Sequence, residues 1–235
     1  MTLPGLFTST FNRSPQKVAF SFKGEKVTFS QLHGYARRFC DHLRYLGLKT
    51  GDRVALYLPN SLHFIYAYLG ILYSDCIAVP LNVMYRGREV QEIVEDSQAR
   101  VLISTGEQLN QINDLSTQLQ RSVIVWDVSV PIPFSETTNP DETDLTVNQE
   151  QLAAICYTSG TTGPSKGAML SRGNFASNIE TLIRTWEWSS QDIFLLALPM
   201  FHMHGLGVAL HGALTTGCTT ILMERFEAES VLKTI

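Results

Sequence analysis

The chain has 235 residues, 44% of them hydrophobic and 17% charged, enough for one large or two small domains with a substantial core. So low a charge content excludes a largely disordered chain. The net charge of −4, from 18 basic and 22 acidic residues without a basic tract, removes electrostatic support for a nucleic-acid partner.

In chain order, Met1-Thr2-Leu3-Pro4-Gly5 shows no basic region followed by an apolar run, so no secretory signal is read there. Val18–Phe22 and Val27–Phe29 flank Lys23-Gly24-Glu25 and predict a β-hairpin. Ser30 is the expected N-cap of a helix with Leu32, Tyr35, Ala36, Phe39, Leu43 and Leu46 on its apolar face, ended by Gly47. After a turn at Thr50-Gly51-Asp52 come strand Val54–Leu58, a mostly buried helix Ser61–Tyr73 and strand Cys76–Val79. Helix Gly87–Ser97, strand Val101–Ser104, helix Gln108–Leu119 and strand Val123–Val128 follow. This alternation predicts an α/β fold, mainly parallel sheets flanked by helices.

Ser129–Gln151 breaks the rhythm with Pro131, Pro133 and Pro140 among acidic residues, and no Lys or Arg lies between Arg121 and Lys166. It is read as an acidic surface connection (129–151) between an N-terminal α/β subdomain (1–128) and a second α/β segment (152–235). There, strand Leu152–Tyr157 leads into a glycine-rich segment and a short apolar piece, Gly167–Leu170. A helix starting near Gly173 and Asn174 would place Phe175, Ile179, Leu182, Ile183 and Trp186 on one face. Strand Ile193–Leu198, helix Val208–Thr215, strand Thr219–Met223 and a helical pattern over Phe226–Ile235 complete the chain. That last pattern meets no stop signal, so the chain is read as truncated.

Cys40, Cys76, Cys156 and Cys218 each sit in an apolar stretch, and none forms a C-x-x-C pair. Buried reduced thiols in a cytoplasmic protein are the expectation. The longest apolar runs, Phe64–Leu72 and Phe194–Met200, are too short to span a bilayer, although peripheral contact with lipid is compatible with them.

The chemistry-bearing segment is Tyr157-Thr158-Ser159-Gly160-Thr161-Thr162-Gly163-Pro164-Ser165-Lys166-Gly167. Glycines let backbone N–H groups approach an anion, and the hydroxyls of Thr158, Ser159, Thr161 and Thr162 add donors. One of those hydroxyls could ligate Mg²⁺, and Lys166 adds a point charge suited to phosphate or carboxylate. A Walker A loop, G-x-x-x-x-G-K-S/T, is excluded, because Ser165 replaces the second glycine and Gly167 the final hydroxyl residue. A G-x-G-x-x-G fingerprint is missing as well. The bland alternative is a flexible polar loop.

Tyr157–Gly167 resembles the signature loop of the adenylate-forming superfamily, which includes acyl-CoA synthetases, luciferases and adenylation domains of peptide synthetases. The pattern there is two hydroxyl residues, glycine, two hydroxyl residues, glycine, any residue, proline, lysine, glycine. The one departure is Ser165, where proline is usual. The flanks are similar too: Gly167-Ala168-Met169-Leu170-Ser171 and Asn174, then Pro199-Met200-Phe201-His202-Met203-His204-Gly205-Leu206. Upstream, Thr28-Phe29-Ser30-Gln31-Leu32, Gly51-Asp52-Arg53-Val54 and Val79-Pro80-Leu81-Asn82 resemble the N-terminal landmarks, so the likeness spans nearly the whole chain.

The resemblance implies the N-terminal portion of the large domain of such an enzyme, without its small C-terminal domain. It implies that ATP and a carboxylic acid give an acyl-adenylate and pyrophosphate, after which coenzyme A takes the acyl group. Thr158, Ser159, Gly160, Thr161, Thr162 and Gly163 would wrap the phosphates. Thr158 would contact Mg²⁺, and Lys166 would assist the departing pyrophosphate. His202 would pack against the acyl group or orient the carboxylate. Read without the family, His202-Met203-His204 with His211 beyond could hold a metal, but no third ligand lies nearby in sequence, and packing accounts for His204 and His211. The family's acidic Mg²⁺ motif, ribose-binding aspartate, hinge and C-terminal catalytic lysine are not located here, so the isolated chain is expected to bind nucleotide weakly and turn over little.

The variants around Ser165 and His204 look similar to synthetases for small dicarboxylates such as malonate, with medium- and long-chain fatty acids also candidates. Two other readings stay open: an adenylation domain serving a carrier protein, and a catalytically inactive binding module. The oligomeric state is left open, a dimer included.

Overall fold

A computed structural model describes residues 3–112, 123–129, 148–158 and 165–235. The chain opens with helix α1 (Leu3–Arg13), which the sequence reading did not anticipate. Its signal was present, since Leu3, Phe7 and Phe11 recur every four residues and all are buried. Pro4 and Gly5 masked it, yet proline is tolerated in a first helical turn. Strands β1 (Val18–Phe22) and β2 (Glu25–Thr28) form the expected antiparallel hairpin.

Helix α2 (Phe29–Tyr45) is capped by Thr28, one correction to the expected Ser30. The Thr28 hydroxyl accepts the Gln31 N–H at 3.2 Å, and the Gln31 side chain accepts the Thr28 N–H at 2.9 Å. Thr28-x-x-Gln31 is thus a capping box, a reciprocal pair that Ser30 cannot form with His33.

Strand β3 (Arg53–Tyr57), helix α3 (Leu62–Tyr73), strand β4 (Ile77–Pro80), helix α4 (Gly87–Ser97) and strand β5 (Val101–Ser104) follow closely as expected. Helix α3 is buried almost all round, as its unbroken apolar composition requires, and packs along α2. The expected helix Gln108–Leu119 is represented by the shorter α5 (Gly106–Asn110), and residues 113–122 lie outside the described set. Strand β6 (Ile124–Asp127) follows. Most of the acidic connection, residues 130–147, is also outside the described residues.

Strands β7 (Leu152–Thr158) and β8 (Lys166–Ser171) lead to helix α6 (Arg172–Trp186), capped by Ser171. On its expected apolar face Phe175 and Ile179 are buried but Trp186 is exposed, because the last turn runs beyond the core. After β9 (Ile193–Leu196), the expected helix Val208–Thr215 starts earlier, as a π-helix over His204–Leu210, and continues as α7 (His211–Thr216). Gly205 and Gly207 lower helix propensity and hid that start. Strand β10 (Thr219–Leu222) and helix α8 (Ala228–Thr234) end the chain.

The strands form two sheets, in orders β6-β5-β3-β4-β7-β8 and β2-β1-β10-β9. Pairing is parallel throughout except at β7–β8 and β1–β2. Each sheet takes strands from both sides of residues 129–151, so N-terminal β1 lies beside β10 with Phe20 opposite Thr220. In the six-stranded sheet, alternate residues feed two cores. Val54, Leu56, Ala78, Ala154 and Cys156 face α2 and α3; Ala55, Tyr57, Val79, Leu102 and Ile155 face α4. Burial on both faces explains why these strands read as continuous apolar runs.

Candidate functional site

The glycine-rich segment joins β7 to β8. The two strands are antiparallel, with Thr158 opposite Lys166, Tyr157 opposite Gly167 and Cys156 opposite Ala168. Thr158 ends β7 at the carboxyl end of the parallel strands, the edge where open α/β sheets bind ligands. Thr158 and Lys166 are both exposed at the base of the hairpin loop. Ser159, Gly160, Thr161, Thr162 and Gly163 lie outside the described residues.

Side chains opposite one another in a ladder share a face, and faces alternate along a strand. Thr158 and Lys166 therefore share the face of Cys156, whose sulfur lies 4.0 Å from the Met203 sulfur. Met203 adjoins His202, so the fold brings the base of the loop and the His202 segment to one side of the hairpin. His202 is exposed; its ring packs on Phe201 at 4.5 Å, and its N–H donates to the Pro199 carbonyl at 3.1 Å.

Gly205 is required where it stands. A Cβ there would lie 2.0 Å from the Pro199 carbonyl oxygen. The start of the π-helix thus lies flat on Pro199-Met200, which sets how the His202 loop leaves the sheet. A residue that sequence reasoning missed holds the same segment. The amide of Asn60, buried just beyond β3, donates to the carbonyls of Leu198 at 2.9 Å and Met223 at 3.0 Å and accepts the Met200 N–H at 2.8 Å. Pro59-Asn60-Ser61 reads as an ordinary turn leading into α3, so the sequence held no signal for this role.

His211 is fully buried among Phe7, Tyr68 and Phe175, with its Nε2 2.8 Å from the Tyr68 hydroxyl. Burial pulls its pKa down to about 3, so the ring is neutral and serves packing, as the sequence suggested. His204 is exposed rather than packed. Among the described residues no group of three His, Cys, Asp or Glu side chains could hold a metal ion. The four cysteines are free and buried, and burial pushes Cys156 up to about 11, where the inert thiol dominates. No helix among the described residues is long and apolar enough to cross a membrane.

The fold is thus a mostly parallel α/β sheet with a hydroxyl- and glycine-rich hairpin segment at its carboxyl edge and a lysine at the base of that segment. The chain belongs to the AMP-binding enzyme family, whose model matches residues 7–235. It is 28% identical over 221 residues to 4-coumarate–CoA ligase 1 of Petroselinum crispum, covering 90% of this chain and 41% of that protein. It is 29% identical over 270 residues to long-chain-fatty-acid–CoA ligase of Bacillus subtilis (strain 168), covering 100% of this chain and 48% of that protein. The crystal structure of apo MatB from Rhodopseudomonas palustris superposes with a TM-score of 0.84 at 29% identity, over 99% of this chain and 47% of that one. An ATP-bound structure of the same protein gives 0.83. The chain spans less than half the length of these relatives.

Proposed function

We propose that this chain carries the phosphate-binding loop and part of the acyl pocket of an AMP-forming acid–thiol ligase, which activates a carboxylic acid with ATP and passes it to coenzyme A. The observation that carries the reading is the pairing of Thr158 with Lys166 across the base of the hairpin loop, on the side where the His202 segment packs. Joining an anionic carboxylate to an anionic α-phosphate needs charge neutralisation, and a loop of N–H groups, hydroxyls and one lysine supplies it. Thr158 to Gly163 would wrap the phosphates, and Lys166 would stabilise the pyrophosphate as it leaves. His202 would line the acyl pocket and orient the carboxylate.

The exposed hydroxyl of Thr158 is a hard oxygen of the kind Mg²⁺ accepts, and Mg²⁺ typically takes only one or two protein oxygens beside substrate phosphates. Thr158 would hold the ion, which would supply further neutralisation of phosphate charge. The family and its named CoA ligases support ATP and coenzyme A as co-substrates.

The test is a panel of acids (small dicarboxylates, fatty acids and aromatic acids) assayed for CoA-dependent AMP formation. The parent protein should form AMP with at least one of them, and no ATP-dependent activation of any would overturn the reading. The 235 residues alone should bind ATP weakly and turn over little; acyl-AMP formation at the parent's rate would contradict that part.

A further inference from the structure

Tyr157 stands on the opposite face of the hairpin from Thr158 and Lys166. Its ring lies across Gly167, its partner in the ladder: a Cβ at position 167 would be 3.0 Å from Tyr157 Cζ and 2.7 Å from Ile155 Cγ2. The ring also packs against the apolar cluster under α4. The Tyr157 hydroxyl donates to Asp96 Oδ2, in the last turn of α4. A side chain at 167 would push the ring aside and carry the hydroxyl away from Asp96.

The position of this contact matters. β8 is an edge strand, exposed from Lys166 to Met169. The parallel pairing of β7 with β4 centres on Ala154 and Ala78, three residues before Tyr157. The outer end of the hairpin therefore projects past its ladder support, and such ribbons twist easily. An anion-binding loop works only if its N–H groups are aimed before the ligand arrives, because ordering them on binding subtracts from affinity. Tyr157, one residue before Thr158, is placed to stop that twisting by tying the stem to α4.

We propose that the Tyr157–Asp96 contact, seated over the bare backbone of Gly167, is a latch that positions the glycine-rich loop for phosphate. This rests on the ATP-binding reading given above. Tyr157 and Asp96 are positioning residues: they act through the loop and do not touch the nucleotide.

Two measurements on the 235-residue chain test it, calorimetric titration with Mg·ATP and hydrogen exchange of the 158–167 amides without ligand. Tyr157→Phe keeps the ring and removes only the hydroxyl, so the fold should persist with a melting temperature lowered by no more than about 2–4 °C. Losing one hydrogen bond of ordinary net strength should weaken Mg·ATP binding about threefold to tenfold and speed amide exchange in the loop by a similar factor. Asp96→Ala should do the same, and Asp96→Asn, which keeps an acceptor, should restore most of the loss. The double variant Tyr157→Phe/Asp96→Ala should be no worse than either single one, and Gly167→Ala should weaken binding and speed exchange likewise, with an added loss of stability from its contact with Ile155. Wild-type affinity and exchange in both single variants, or additive losses in the double, would overturn the latch. If the unaltered chain binds Mg·ATP too weakly to titrate, the titration is made on the parent protein, where an absence of binding would overturn the nucleotide reading, and loop exchange decides the latch.

Discussion

Asn60 accepts the backbone N–H of Met200 at 2.8 Å, joining the end of β3 to the segment that carries His202. With its two donations to Leu198 and Met223, three hydrogen bonds of one buried amide hold the ends of the two sheets together. Asn60→Ala would strand two partly buried carbonyls and a buried N–H. The expected loss is about 2–4 kcal/mol of unfolding free energy in urea titrations, and Asn60→Asp, which turns a carboxylate oxygen toward two carbonyl oxygens, should cost at least as much. A smaller loss in Asn60→Asp than in Asn60→Ala would mean that the two carbonyl contacts contribute nothing.

Arg172, at the start of α6, is completely buried and pairs with Asp75 at 2.8 Å while donating to the Leu72 carbonyl at 2.9 Å. Asp75→Ala leaves a guanidinium buried without its counter-charge and should cost about 3–5 kcal/mol. Arg172→Met combined with Asp75→Ala should recover part of that loss, since an apolar side chain of similar length needs no partner. A double-mutant cycle by chemical denaturation checks this, and a strictly additive double variant would refute it.

His211 gives the fold a pH dependence with a defined sign. Its ordinary pKa of 6.5 applies in the unfolded chain, and its folded value is about 3. The unfolded state therefore binds the extra proton between these values. His211 has no destabilising effect well above pH 6.5; stability falls as pH drops below 6.5, and the fall levels off below about 3. One such group should remove about 2 kcal/mol between pH 7 and pH 5. Burial lowers His33, His42 and His63 too, so the chain should lose more in total. His211→Gln isolates the share of His211: its urea stability should differ less between the two pH values than that of the unaltered chain. An unchanged difference would mean the ring is not buried neutral.

Lys166 is exposed opposite Thr158 and carries no structural duty in the core. Lys166→Ala should leave the melting temperature alone. In the parent protein it should lower pyrophosphate release roughly 100-fold, in the range seen when one charge-stabilising donor is removed. A normal rate in the variant would place the charge compensation elsewhere.

At Gly205 a methyl group would meet backbone, which cannot swing aside as a side chain tip can. Gly205→Ala should cost about 1–3 kcal/mol and shift the His202 loop. Chemical denaturation reads the first effect; the second would appear as a changed KM for the acid in the parent protein.

Local signals in the chain were enough for most of the elements. The apolar run of α3 and the short apolar runs of the central strands need only neighbouring residues to be read. The hydroxyl-glycine-lysine pattern at 157–167 was equally legible, because it lies in consecutive residues, and the anion binding proposed for it rests on that composition. The Thr28 cap was there to be found, since its partner Gln31 lies three residues on. Tertiary contacts decided the rest. That β1 pairs with β10 across 200 residues, that Asn60 rather than a charged residue holds the His202 segment, and that Tyr157 reaches Asp96 are facts of packing between distant elements. No periodicity encodes them, because each depends on where separate helices and strands come to rest once their apolar faces are buried. The sequence alone determined which residues could meet a phosphate. Only the fold decided that Thr158 and Lys166 face the His202 segment while Tyr157 faces α4, since the two-residue alternation of a strand acquires its two sides only when something packs against each.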